Sequence, residues 1–446
     1  MADHPTARDL IASVTDHFTE LTVPPTPQPA DGPLGWPGYD TQRTRAAART
    51  GETESVVCGT ARIGGVDTTL IAFEFGYLGG SLGERTGDRL EAAFTRAREL
   101  RTPVVSLIAT GGSRMQEGMR ALIQLRRIAE QSAHTRAAGL PQVAVAYDPT
   151  TGGGWATLGA GADVTLAVPG AQIGFAGSRV RPPDADPAAY TAEDQHAHGH
   201  VDAVVPQDDL PQELARWLRL LTNPSREPAD PPHALTGDGT SRPTGSGWTA
   251  VLRARAAERP RAGAYLDAYF THRVTLSGDR CGGTDDGVTC GFGDHPTHGT
   301  IAYAAQLGTA TRPEGYRTIA RTIRLADRLR IPVLTLVDTP GAANDTEAER
   351  RGAGPAIAEV FAAVAESRTP ITTLVIGEGG SGGALALTAP GRTWLTPDSY
   401  FSVIAPELAT AILKRPPTAT ESTADDLRLR PQDMVDLGLA EGVIGE

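Results

Sequence analysis

Apolar residues fall in short β-branched runs separated by longer amphipathic stretches. Residues 66–75, 104–108, 143–146 and 371–376 read as strands, the last three as buried runs, because their apolar residues are continuous or nearly so. Helical spacing predicts one helix over 85–100, a long one over 115–138, and helical character again over 248–272. Near the start, 6–21 reads as a single helix, and the proline-rich stretch 24–29 reads as extended or loosely ordered. Strands alternating with helices predict a layered α/β fold.

The pattern occurs twice. Leu100-Arg101-Thr102-Pro103-Val104 matches Leu329-Arg330-Ile331-Pro332-Val333, 229 residues later. The same spacing pairs Thr110-Gly111-Gly112 with Thr339-Pro340-Gly341, and Gly152-Gly153-Gly154 with Ser381-Gly382-Gly383. It also sets Ile173-Gly174-Phe175-Ala176 on Ser402-Val403-Ile404-Ala405. A constant, ungapped spacing of this length points to a duplicated domain rather than a solenoid. The expected organisation is an extension over 1–50, an α/β domain over 51–225, a Pro/Gly/Ser-rich linker over 226–247 and a second α/β domain over 248–446.

Each copy places glycine turns where buried strands end. The densest is Gly377-Glu378-Gly379-Gly380-Ser381-Gly382-Gly383-Ala384, with five glycines among its first seven residues. Glycine lets the chain turn tightly and clears side chains from the inner surface, which leaves backbone N–H groups free to meet an oxyanion. Gly111, Gly112, Gly382 and Gly383 are therefore the candidate catalytic positions. Gly379, Gly380, Ala384, Gly152, Gly153 and Arg114 are the candidate ligand-binding ones. Arg120, Arg126, Arg179, Arg181, Arg312 and Arg317 also suit a phosphate-bearing ligand. His196, His198 and His200 have metal-like spacing but no carboxylate or cysteine partner, so a solvated loop is the preferred reading. Gly152–Gly154 lacks the Lys-Ser/Thr of a phosphate-binding loop.

Composition narrows the class. The 446 residues are 40% hydrophobic and 21% charged, with net charge −12, which argues against nucleic acid as the main partner. Three cysteines form no CxxC pair and suggest a reduced, cytoplasmic enzyme. No apolar run approaches the ~18 residues that cross a membrane, and the N-terminus lacks a signal-peptide pattern.

These motifs resemble a known family. Phe73-Glu74-Phe75-Gly76-Tyr77-Leu78-Gly79-Gly80, Thr110-Gly111-Gly112-Ser113-Arg114-Met115-Gln116-Glu117-Gly118 and Asp148-Pro149-Thr150-Thr151-Gly152-Gly153 look like the β subunit of bacterial acetyl-CoA carboxylase carboxyltransferase. Arg312-Pro313-Glu314-Gly315-Tyr316-Arg317, Asp338-Thr339-Pro340-Gly341-Ala342 and the Gly377–Ala384 run look like its α subunit. The resemblance implies two tandem crotonase-like (ClpP/crotonase) domains, β-like before α-like. It also implies carboxyl transfer from biotin to acetyl-CoA or a related acyl-CoA, giving malonyl-CoA for fatty-acid or polyketide synthesis. Gly111 and Gly112 would face the thioester oxygen, while Gly382, Gly383 and Ala384 would face the biotin ureido oxygen. Biotin would itself take the α-proton, which explains why no catalytic His or Cys is needed.

The family's four-cysteine zinc ribbon is missing, since no cysteine precedes Cys58, so zinc is not expected. No biotin-attachment Met-Lys-Met occurs, because the only lysine is Lys414. A biotin carboxyl carrier protein and a biotin carboxylase must then be separate partners, and a homodimer or higher oligomer is expected. The alternatives are a biotin-independent malonyl-thioester decarboxylase and a non-catalytic assembly subunit.

Overall fold

The continuous apolar runs become the inner strands of two sheets. The structure, a computed structural model, describes residues 4–235 and 245–444; residues 236–244, inside the expected linker, lie outside the described residues. The chain divides into two units, Met1–Thr222 and Asn223–Glu446.

In the first unit the strands are β1 (His17–Glu20), β2 (Val56–Ile63), β3 (Val66–Phe73), β4 (Val104–Thr110), β5 (Gln142–Thr151), β6 (Val164–Ala167), β7 (Ile173–Gly174) and β8 (Ala203–Val204). Their order is β1-β2-β3-β4-β5-β6-β8, with β7 on the end of β5. β1 to β3 pair antiparallel, and from β3 onward the pairing is parallel. All seven residues of β4 are buried, as expected for a parallel strand covered on both faces.

The second unit repeats the plan with β9 (His272–Leu276), β10 (Val288–His295), β11 (Gly299–Gln306), β12 (Val333–Thr339), β13 (Ile371–Gly380), β14 (Thr393–Leu395), β15 (Tyr400–Ser402) and β16 (Gly442–Val443). The order is β9-β10-β11-β12-β13-β14-β16, with β15 on the end of β13. Both ends of β12 and β13 lie 229 residues beyond those of β4 and β5. The same holds for the helices Glu84–Leu100 and Pro313–Leu329, and for Gln124–Ala137 and Ala353–Glu366. Each 17-residue helix even ends on an arginine in the left-handed conformation, Arg101 (φ 57°) and Arg330 (φ 60°).

Two expected helices differ. The segment 6–21 forms the helix Ala7–Val14, started by a Thr6–Asp9 capping box, and then β1, which adds to the edge of β2. The expected helix over 115–138 is broken into a 3₁₀ turn (Met115–Glu117), a short helix (Met119–Leu122) and Gln124–Ala137. Gly118, at φ 53° and ψ −130°, lies outside the helical region and makes the first break. No helix among the described residues is long and apolar enough to cross a membrane.

Candidate active-site turns

In the first unit β4 and β5 end side by side, and both chains turn there. Their pairing slips between Ile108 and Thr110, so that Ala109 alone stands opposite three residues of β5. Past the slip, the hydroxyl of Thr110 accepts the N–H of Gly112 (3.1 Å), and Gly111 N–H donates to the Gly79 carbonyl (2.9 Å). Leu82 then bridges the outgoing chain, donating to Gly112 O and accepting from Arg114 N, both at 2.9 Å. Strand-like alternation sends the intervening Ser113 N–H the other way, and it has no acceptor among the described residues. The second turn, Gly152–Gly154, leaves its first N–H groups without intrahelical acceptors. Gly112 has φ 106°, and a Cβ on Gly152 would lie 3.0 Å from Gly112 Cα, so the two turns meet almost backbone to backbone.

The second unit repeats this construction. Thr339 Oγ1 accepts Gly341 N–H at 3.1 Å, Thr311 bridges Gly341 and Ala343, and Ala342 N–H is left without an acceptor among the described residues. After β13 comes the turn Ser381–Leu385. A Cβ on Gly383 would strike the Tyr316 hydroxyl and sit 2.7 Å from Ala342 N, so only glycine lets these turns approach. Gly379 and Gly380 are buried at the end of β13, Ala384 is buried beneath the turn, and Gly382 is exposed with nothing within 4 Å of where a Cβ would stand.

The sequence-predicted residues are therefore sorted unevenly. Gly112 and Gly152 come together, as do Gly380 and Gly383 with the Pro340–Ala342 stretch. Gly153 is buried beneath its turn against Leu125. The amides of Gly111 and Gly112 already have acceptors, so these glycines shape their turn, and the open donor beside them is Ser113. Sequence reasoning passed over Ser113 and Ala342 because only pairing direction distinguishes them.

Arg114 requires a correction. It was expected to bind ligand, yet its side chain is 1% exposed and wholly engaged by the protein. Its guanidinium meets Glu54 (2.5 Å), Glu117 (3.4 Å) and the Ser81 carbonyl (2.7 Å). Burial by itself would raise the Glu54 carboxyl, but the charge and hydrogen bonds of Arg114 outweigh it and hold the group below the usual carboxylate range. Arg120, Arg312 and Arg317 likewise pair with Glu84, Asp345 and Asp279. The second unit has a buried counterpart of opposite sign. Asp338, 1% exposed, accepts from Arg259 (2.5 Å), Arg261 (3.2 Å) and the backbone N–H of Glu378 (3.2 Å). A lone acid inside an apolar run was a visible signal for it. Among the described residues no group of three or more His, Cys, Asp or Glu is arranged to hold a metal ion.

A family model described as the carboxyl transferase domain matches residues 37–233. Another, described as acetyl co-enzyme A carboxylase carboxyltransferase-like, matches residues 245–446. An acetyl-coenzyme A carboxylase carboxyl transferase subunits beta/alpha chain of Saccharopolyspora erythraea is 38% identical over 92% of this chain and 74% of its own length. The chain belongs to the acetyl-CoA carboxylase carboxyltransferase β/α family. The corresponding carboxyltransferase of Salinispora arenicola is 36% identical over 96% of this chain and 80% of its own. Among solved structures, transcarboxylase 12S, a hexamer crystallised with methylmalonyl-coenzyme A, matches with TM-score 0.81 at 19% identity, over 98% of this chain and 86% of that one. The likeness places the chain in the same tandem crotonase-like fold. These relatives give the malonyl-thioester decarboxylase alternative no support.

Proposed function

We propose that this carboxyltransferase moves a carboxyl group from biotin, on a separate carrier protein, to the α-carbon of acetyl-CoA, giving malonyl-CoA. The observation that carries the reading is the repeated turn pair: each unit brings two strand ends together and leaves backbone N–H groups open beside them. Two oxyanions form in such a transfer, one on the thioester and one on the ureido oxygen, and two turn pairs suit them. Carboxybiotin supplies the activated carboxyl group and afterwards the base for the α-proton.

In the first unit Gly111 and Gly112 shape the turn, and Ser113 N–H with the first amides of Gly152–Gly154 receives the thioester oxygen. In the second, Ala342 N–H with the amides of Gly382, Gly383 and Ala384 receives the ureido oxygen, and the open space at Gly382 admits a flat ring. Each aligned donor is worth about 3 kcal/mol at the transition state. A biotin carboxylase reloads the carrier in the cytoplasm. Exposed Met115, Met119 and Phe175 on the first unit, and Val403 and Ile412 on the second, favour a homo-oligomer.

The test is carboxyl transfer from malonyl-CoA to biocytin by the full chain and by Gly112→Val and Gly383→Val. Both variants should fall at least about 100-fold with circular dichroism unchanged. Wild-type turnover in both would remove the oxyanion assignment. Loss of malonyl-CoA without biotin would mark a decarboxylase, and an inert wild type an assembly subunit.

A further inference from the structure

Residues 31–42 run behind the first unit's glycine turn and touch the chain leaving it at three points. Leu34 covers Gly118, where an added Cβ would lie 2.7 Å from Leu34 Cδ1. Gln42 Oε1 accepts from Gln116 Nε2 at 2.9 Å. Between them Tyr39, fully buried, donates to Glu117 Oε1 (2.5 Å) and accepts from Arg114 Nη1 (3.3 Å). The other oxygen of Glu117 takes the N–H of Glu84, at 2.6 Å. Burial pushes the phenol of Tyr39 well above its ordinary range, so it stays a neutral donor at any working pH.

The stretch so held has little backbone support. Residues 112–114 are joined to the fold by the single bridge at Leu82, and 115–117 make one 3₁₀ turn. A loop with so few ladder bonds takes its shape from the side chains that clamp it. Here the clamp is a saturated buried network in which one hydroxyl serves both a cation and a carboxylate. Arg114 follows Ser113 directly, so its guanidinium anchors the chain one residue beyond the open amide.

We propose that Tyr39 is a positioning residue for carboxyl transfer: through Glu117 and Arg114 it fixes the orientation of the Ser113 amide, so that residues 31–42 set the shape of the acyl-CoA turn. The inference rests on assigning that turn to the thioester. Its test is Tyr39→Phe in the full chain, which removes the shared hydroxyl and keeps the ring's packing. The readouts are malonyl-CoA to biocytin transfer and peptide-resolved hydrogen exchange. We expect kcat to fall at least fivefold with KM for malonyl-CoA within twofold of wild type, and faster exchange confined to 111–117. Gln42→Ala, at an exposed contact, should loosen the same peptide less. Unchanged exchange and kcat would overturn the clamp, as would exchange raised across the whole first unit, which marks a merely structural role. Faster exchange at 111–117 with wild-type turnover would instead overturn the thioester assignment.

Discussion

The two units solve one backbone problem with different chemistry. Where β4 meets β5, and β12 meets β13, a single residue faces three. The swollen strand therefore carries polar groups outside the ladder. In the first unit the strand is Tyr147-Asp148-Pro149. Proline has no N–H to satisfy, the Thr150 hydroxyl covers the Tyr147 carbonyl (2.8 Å), and Ala109 suffices opposite. In the second unit the strand is Ile376-Gly377-Glu378, where position 378 does have an N–H and the residue after it is glycine, with no hydroxyl to offer. Asp338 takes the N–H (3.2 Å) and Arg259 covers the Ile376 carbonyl (3.2 Å). A buried charge pair thus stands where the other copy needs only a proline and a threonine. The first unit spends its buried charge instead one turn later, on Arg114. Buried polar groups are met by whatever donor or acceptor the local sequence permits, and a change at one position forces a partner at another.

The largest test of this contrast removes each buried charge. Arg114→Met strands Glu54 and Glu117 together, and the first unit should lose about 3–5 kcal/mol in urea unfolding. Asp338→Asn should cost the second unit less, about 2 kcal/mol, because Asn still accepts from the Glu378 N–H, the buried Arg259 keeps the Ala254 and Ile376 carbonyls as acceptors, and Arg261 is 42% exposed. The reverse ranking would mean that the strand junction, rather than the turn, holds the charge that matters. A smaller effect concerns the left-handed residue that opens the second turn in each unit, Gly152 (φ 63°) against Ser381 (φ 58°). Ser381→Gly should gain up to about 1 kcal/mol and Gly152→Ser should lose about 1–2 kcal/mol in thermal melts. Responses of the same sign would show that the turns carry unlike strain. The smallest effect sharpens the comparison without mutation. Cys58 and Cys290 both sit third in their strands, β2 and β10, and burial pushes each thiol up to about 12. Thiol labelling in native buffer should stop at the exposed Cys281, and the order in which the other two react in rising urea reports which unit opens first.

The sequence carried much of the fold because its strongest signals are local and occur twice. Buried runs such as 104–108 and 371–376 mark strands by hydrophobicity alone, and the 229-residue spacing fixed which elements correspond. It could not show that residues 17–20 pair with β2, since that strand owes its existence to a distant partner. Nor could it break the helix expected over 115–138, whose one warning was a glycine within a strong helical pattern. At the site, the glycine positions were legible because clearing side chains is a property of residue type. The choice of open amide was not, because Ser113 and Ala342 differ from their neighbours only in hydrogen-bond direction. Arg114 read as a ligand group for a related reason: its role depends on Glu54 and Tyr39, residues 60 and 75 positions away.

The sheet order has a further consequence, for behaviour at high concentration. The long strands, β4, β5, β12 and β13, lie inside, while the strands at the ends of the two sheets are β1, β8, β9 and β16, with four, two, five and two residues. The two longer ones carry His17 and Glu20, and His272 and Arg273, on their length. Short, charged margins give a neighbouring chain little on which to grow a strand, so crowding should not turn these two sheets into a template for fibres.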